Sequence, residues 1–370
     1  MTMMGRIRPR SGAIAAVAAA ALFGVSACGG GSAEDSGDKV SATVPDNAFR
    51  AKADIAGATS MSVDARFKKV DNAADAQLLA PGVDLHITGV AQLDTLTAEV
   101  YADLAGTSPG VDREGKPVKE VYPAKNQAFY AVEYSSDDPQ WEPRGEIPDS
   151  VASVVVNGND VAEVLRTDEG TMHRGTIVAS LPADSAPDSA VLEVETDGKF
   201  QSLSLLDGHR VSSDVEQVYE VADRDVKVSS VDEFEKNFTG WTGDKQRIAG
   251  SVADAFVVPW LHRRDGGDGW AGSGKTYLSV EMEWAEFSAT SFDETTMHLE
   301  LDNGKTVQPG NDPSGLKSAF KDRAVFQIPA DTKSVTVVVE PQVTVGAGSS
   351  AKKHTWDPFG AKIAISGGKG

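Results

Sequence analysis

The sequence predicts an all-β body: two tandem β-sandwich domains behind a signal peptide and a flexible tether. Three observations carry this. Much of the chain from Ser62 onward alternates with period two, as in Ser62-Val63-Asp64-Ala65-Arg66-Phe67 and Thr95-Leu96-Thr97-Ala98-Glu99-Val100. Such runs set one row of side chains against a core and the other in water. The body also repeats itself. Phe129–Tyr134 resembles Tyr277–Met282, Asn157-Gly158 resembles Asn303-Gly304, and Leu181–Asp184 resembles Ile328–Asp331, at offsets of 148, 146 and 147. Three matches in one order and at nearly one spacing point to duplicated domains. Finally, no strong helical pattern separates the strands, which favours two packed sheets in each half.

Residues 1–27 read as a secretion signal. Arg6, Arg8 and Arg10 form a basic head, Ala13–Phe23 an apolar middle, and small residues follow. A retained membrane span needs about 20 predominantly apolar residues. Val25-Ser26-Ala27-Cys28 ends this segment, and Cys28 is the only cysteine. It can form no internal disulfide. Residues 28–46, rich in glycine, serine and acid, read as a flexible tether. Residues 47–218 form the first expected domain, 219–243 a linker, 244–366 the second domain and 367–370 a disordered tail. Within these, Asn72–Leu79 admits a short helix and Asp232–Lys236 a single helical turn.

Val25-Ser26-Ala27-Cys28 resembles, position by position, the signal box of bacterial lipoproteins. In that family the thiol receives diacylglyceryl and the peptide is cut just before it. The resemblance implies that Cys28 is lipidated, that the partner at this end is a lipid membrane, and that the body stands on the outer face of the cell membrane. Two acyl chains hold a protein there where one binds marginally.

Charge narrows the remaining partners. The chain has 35 basic and 55 acidic side chains. Loss of the three signal arginines leaves the mature part at a formal −23. Nucleic acid is excluded as a partner class, because phosphate contacts need clustered Lys and Arg. The acidic excess serves solubility and attracts cations or basic surfaces.

Each half suggests the same strand order. An early strand (Thr95–Tyr101 or Ser251–Val257) leads through a polar loop to a central one (Gln127–Tyr134 or Thr276–Ala285). Another ends at Asn-Gly, which tolerates the positive φ of a tight turn. The next runs into Pro-Ala-Asp, where proline stops ladder pairing. Two more follow, Ala190–Val194 and Phe200–Leu206, or Ser334–Val339 and Ala361–Ile365. Gly274-Lys275-Thr276-Tyr277, Asn303-Gly304 and Pro329-Ala330-Asp331 resemble immunoglobulin-like sandwich modules of bacterial secreted lipoproteins. The resemblance spans most of residues 60–365 and implies display or binding. The first half departs from it at Asn126-Gln127-Ala128-Phe129, and neither half has paired core cysteines.

Chemistry-bearing motifs are few. None of His86, His173, His209, His262, His298 and His354 has local zinc-ligand spacing, and no metal or cofactor is expected. His86 and His298 sit in strand patterns and read as hydrogen-bonded sheet residues. Asp265 and Asp268 supply too few oxygens for calcium beside two arginines. Gly272-Ser273-Gly274-Lys275 is neither a nucleophile elbow nor a phosphate loop. Asp137 and Asp138, adjacent on a strand, point to opposite faces. The loop His262–Trp270 is the most unusual stretch. Trp260, Arg263, Arg264 and Trp270 are candidates for a partner contact, since Trp and Arg dominate interface hot spots. The same sequence also fits tryptophans packed inward with arginines in water. Trp356 fits either a core cap or a sugar-stacking platform.

The reading is therefore a lipid-anchored binding or scaffolding protein, with an envelope protein or glycan as partner and no catalytic residues assigned. The alternatives are a cell-envelope enzyme with a site between the domains, and a structural spacer.

Overall fold

A computed structural model describes residues 44–45, 47–53, 55–71, 74–137, 146–167, 174–222, 224–286, 292–293, 295–310 and 323–367. The expected signal peptide (residues 1–27), Cys28, most of the expected tether, His173, Asp138 and residues 368–370 lie outside the described residues. In chain order the first half contains β1 (Ala56–Thr59), β2 (Lys68–Lys69), β3 (Gln77–Ala80), β4 (Val83–Leu93), β5 (Leu96–Thr97), helix α1 (Ala98–Ala105), β6 (Glu120–Val121), β7 (Gln127–Asp137), β8 (Ser150–Val156), β9 (Asn159–Arg166), β10 (Arg174–Pro182), β11 (Ala190–Thr196), β12 (Lys199–Ser204) and β13 (Arg210–Ser213). Helix α2 (Val218–Val221) leads to β14 (Arg224–Ser229), β15 (Phe234–Thr239), β16 (Lys245–Val258), β17 (Trp260–Leu261), β18 (Gly269–Trp270), β19 (Lys275–Glu286), β20 (Phe292–Asp293), β21 (Thr296–Leu301), β22 (Thr306–Val307), β23 (Arg323–Pro329), β24 (Ser334–Glu340), β25 (Gln342–Val345), β26 (Lys352–Thr355) and β27 (Phe359–Gly367).

Among the described residues the architecture is all-β apart from two short α-helices and brief 3-10 turns, with antiparallel sheets that repeat. The first half has sheets β1-β10-β7-β4-β2, with β3 also on β4, and β13-β12-β11-β8-β9. The second has β15-β16-β19-β23 and β14-β27-β24-β21-β22. The order β10-β7-β4 returns as β23-β19-β16, and β12-β11-β8-β9 returns as β27-β24-β21-β22. The repeat seen in the sequence is thus a repeat of strand order. Asn157 and Gly158 adopt φ of 50° and 77° between β8 and β9, the two-residue turn expected of Asn-Gly. Pro182 and Pro329 end β10 and β23, as expected of residues that cannot donate to a ladder.

Alternating side chains of the two sheets in each half bury against one another. In the first half Leu85, Val132, Ile177, Leu192 and Leu203 share one cluster. In the second, Leu278, Val280, Phe326, Leu299, Val337 and Ile363 share another. A third cluster lies on the far side of the first sheet. There Val100 and Tyr101 of α1 cover Leu93, Phe129, Ala131 and Val178. Residues from Ala42 onward form one compact unit. The first core takes in Val258, Trp260, Leu261, Trp270, Tyr277 and Val325 from the second half. Val218 belongs to the first core and Val221, three residues on, to the second.

Four sequence expectations are corrected. Thr95–Tyr101 is not one strand, because Leu96–Thr97 gives way to α1. The Thr97 hydroxyl accepts from the Val100 N–H at 3.2 Å, Glu99 sits in the first turn, and Gly106 closes the helix at φ 65°. Short-range alternation there masks a helix cap. Gln77–Leu79, expected as the end of a helix, is strand, and Asn72 lies outside the described residues. Pro81 and Gly82, with Gly82 at φ 73°, form the tight turn that pairs Ala80 with Val83. Phe234–Lys236 is strand rather than a helical turn, since Phe234 and Phe238 bury on one face of β15. The expected linker 219–243 supplies β14 and β15, which pair with β27 and β16.

Candidate functional site

The loop between β16 and β19 is shaped by its glycines. Trp260 pairs with Trp270, and Leu261 with Gly269. The chain turns between them through a 3-10 turn, Arg263–Asp265, capped by His262, whose Nδ1 accepts from the Arg264 N–H at 3.2 Å. Gly266 has φ 89°, and a Cβ on Gly267 would overlap the Leu261 carbonyl. A Cβ on Gly269 would overlap the Asp197 carboxylate. The Gly-rich run therefore lets the loop fold back on itself and approach the first half closely.

Both tryptophans point into that approach. Trp260 is 3% exposed and donates through Nε1 to Asp197 Oδ2 at 2.9 Å. Trp270 is 9% exposed and donates to the Thr196 carbonyl at 3.0 Å. Their receivers sit at the β11–β12 turn, where Asp197 holds φ 49°. The Gln217 amide reaches the Ala271 carbonyl at 3.4 Å, and the Tyr277 hydroxyl accepts from the Asp268 N–H at 3.2 Å. Burial holds the Tyr277 phenol above its ordinary pKa, so it is un-ionised at neutral pH.

The four residues of the expected partner contact are thus divided. Trp260 and Trp270 are spent inside the molecule, clamping one half to the other. Arg263 and Arg264 face water, with side chains 82% and 81% exposed. Arg263 pairs with Asp268 at 2.8 Å, and Arg264 reaches Glu146 of the first half at 3.7 Å. Ion pairs this exposed contribute little to stability.

Between the arginines and the first half opens a cleft of about 370 Å³. Trp260 and Gly269 line it from one side, and Ile147 and Pro148 from the other. Glu146, Asp149, Asp197 and Asp268 bring four carboxylates, against Arg263 and His262. Ile147 is half exposed and rests over Gly82. The first-half wall, Glu146–Asp149 and Asp197, had no local sequence signature. Only the fold sets residues so distant in the chain opposite the loop.

The other residues singled out in the sequence serve packing. Trp356 meets Phe234 and Phe238 edge-on, at centroid distances of 5.8 and 5.9 Å, and stacks on His354 at 6.0 Å. It is a half-buried core cap. His354 has a pKa lowered by burial, with Lys352 adding to the effect. His86 Nε2 lies 2.7 Å from the buried Asp84 and 3.7 Å from Asp137, and Gln77 donates to Asp84 at 2.8 Å. His298 faces Glu300 along β21 at 4.0 Å. Among the described residues no group of three His, Cys, Asp or Glu is placed to hold a metal. None of their helices is long and apolar enough to cross a membrane. Trp241, within the expected linker 219–243, stands 73% exposed at the β15–β16 turn. Compared with family models, curated proteins and solved structures, the chain returned no match.

Proposed function

We propose that this protein is a non-catalytic binding lipoprotein of the bacterial envelope. In this reading Cys28 carries the lipid, and two tandem immunoglobulin-like β-sandwiches stand on the outer face of the cell membrane. The cleft at the seam takes a positively charged segment of an envelope protein. The carrying observation is the cleft itself: both halves build it, and four carboxylates line it, of which Asp268 meets Arg263 and Glu146 meets Arg264. An acidic concave site with a half-exposed Ile147 offers a Lys- or Arg-bearing segment both charge and an apolar contact. The strand repeat supports the tandem reading, and Val25–Cys28 supports the anchor.

The test has two independent parts. Mass analysis of membrane-extracted protein should find a fatty adduct on Cys28, and Cys28→Ala should release the protein from the envelope. Binding of secreted envelope proteins to the soluble body should weaken about tenfold in Glu146→Lys with Asp149→Lys, a loss of about 1.4 kcal/mol. Turnover of a bound protein without a stable complex would defeat the binding reading in favour of an enzyme.

A further inference from the structure

The outer face of the first sheet changes character at one level across all its strands. The rung Gly57–Val178–Ala131–Ala91 is apolar and lies against α1 and its cluster. The next rung on the same face is Thr59–Thr176–Glu133–Gly89, and the one after it carries Arg174, Ser135 and His86. The polar side chains begin where the cover of α1 ends. At the boundary Thr59 Oγ1 donates to Asp103 of α1 at 2.6 Å. Thr88 is the extra residue of a bulge in β4, which re-aims the strand at this point. Gly89 leaves room for the Glu133 carboxylate and for Phe67, both within contact distance of where a Cβ would stand. The result is a groove of about 480 Å³ that includes Thr88, Glu133, Ser135, Arg174, Thr176 and Met61.

We infer that this groove binds a saccharide. Its groups are an acceptor-only carboxylate, a donor-only guanidinium and several hydroxyls that do both, a mixture that pairs with hydroxyl groups in any orientation. They are set about 4.8 Å apart by the strand spacing, close to the width of a sugar ring. Met61, 40% exposed, offers an apolar contact for a C–H face. Charges of both signs are present, so the groove selects neither a bare anion nor a bare cation. Through the groove β7 is paired on both edges, with β10 and with β4, so an extended peptide cannot add to it as a strand. The groove shares none of its lining with the seam cleft. It can therefore bind whether or not a protein partner binds at the seam.

The soluble body, residues 42–370, is titrated with trimers of glucose, mannose and N-acetylglucosamine, read by amide shifts and calorimetry. At least one trimer is expected to bind and to shift Thr88, Glu133 and Thr176. Arg174→Ala and Glu133→Gln should each weaken it about tenfold, the loss of a hydrogen bond to a charged group. Asp149→Lys, at the seam, should leave sugar binding unchanged. The inference is overturned if no trimer moves these amides, if Arg174→Ala and Glu133→Gln bind as the parent does, or if only peptides occupy the groove.

Discussion

The two halves share a strand order but use the same connection in opposite ways. Residues 94–126 join β4 to β7, and residues 259–274 join the equivalent β16 to β19. In the first half that connection folds back on its own sheet, where α1 buries Val100 and Tyr101 over Phe129 and Val178. In the second it reaches outward, and Trp260 and Trp270 bury in the core of the other half. The central strands are held in common because their buried alternation fixes the register. A connection faces no such constraint. Both candidate binding surfaces lie beside these two connections, the groove at the edge of the α1 cover and the cleft under the Trp260 loop.

The sharpest way to break the comparison is to remove the outward reach. Trp260→Ala should cost about 3–5 kcal/mol, the usual loss for a buried aromatic, measured by denaturant unfolding. Because the second half lends side chains to the first core, the variant should also separate one unfolding transition into two. A single transition of unchanged midpoint would show that the loop is not a clamp.

The first core can also be loosened by pH. Tyr219, on α2 and packed against the first core, has its phenol pushed up to about 12, chiefly by burial, with Arg210 over its ring opposing. The folded state favours the protonated phenol. The stabilisation is complete below the ordinary tyrosine value near 10. It falls by about 1.4 kcal/mol per pH unit as pH rises from about 10 to about 12. Tyr219→Phe should flatten that alkaline decline in unfolding experiments. An unchanged slope would place the decline elsewhere.

How much of this was legible in the chain follows from what each feature depends on. The strand repeat was visible because Asn157-Gly158, Pro182 and Pro329 act on their own backbone. α1 is hidden in the sequence because its cap, Thr97, sits in a run that alternates like a strand. The short run Thr95–Val100 cannot tell the two periods apart. Phe234 and Phe238 were hidden in an acidic stretch whose apolar residues are sparse. The direction of Trp260 and Trp270 was beyond the sequence, since it depends on Asp197 and the Thr196 carbonyl. The first-half wall of the cleft and the polar rungs of the groove are likewise products of register between distant strands.

The glycines of the outward connection provide a finer test. Gly267→Ala would drive a Cβ into the Leu261 backbone and should cost about 1–3 kcal/mol, as overpacking does. Gly272→Ala, on the same connection, meets only the Gln327 and Lys275 side chains, at 3.4 and 3.7 Å, and should be near neutral. Equal thermal midpoints for the two variants would mean that the loop does not need its close return.

The smallest expected effect probes the inward connection. Thr97→Ala removes the hydroxyl that accepts from the Val100 N–H, and leaves that donor at the start of α1 without its cap. Loss of such a cap costs about 1 kcal/mol. The effect should be local, because the apolar contacts of Val100 and Tyr101 remain. Hydrogen exchange is therefore the right measurement: amides of residues 98–105 should exchange faster, while those of β16 and β19 stay as they were. Thr97→Ser keeps the acceptor oxygen and should restore protection. If Thr97→Ala instead speeds exchange across both halves alike, the cover over the first sheet is coupled to the seam, and the two connections do one job rather than two.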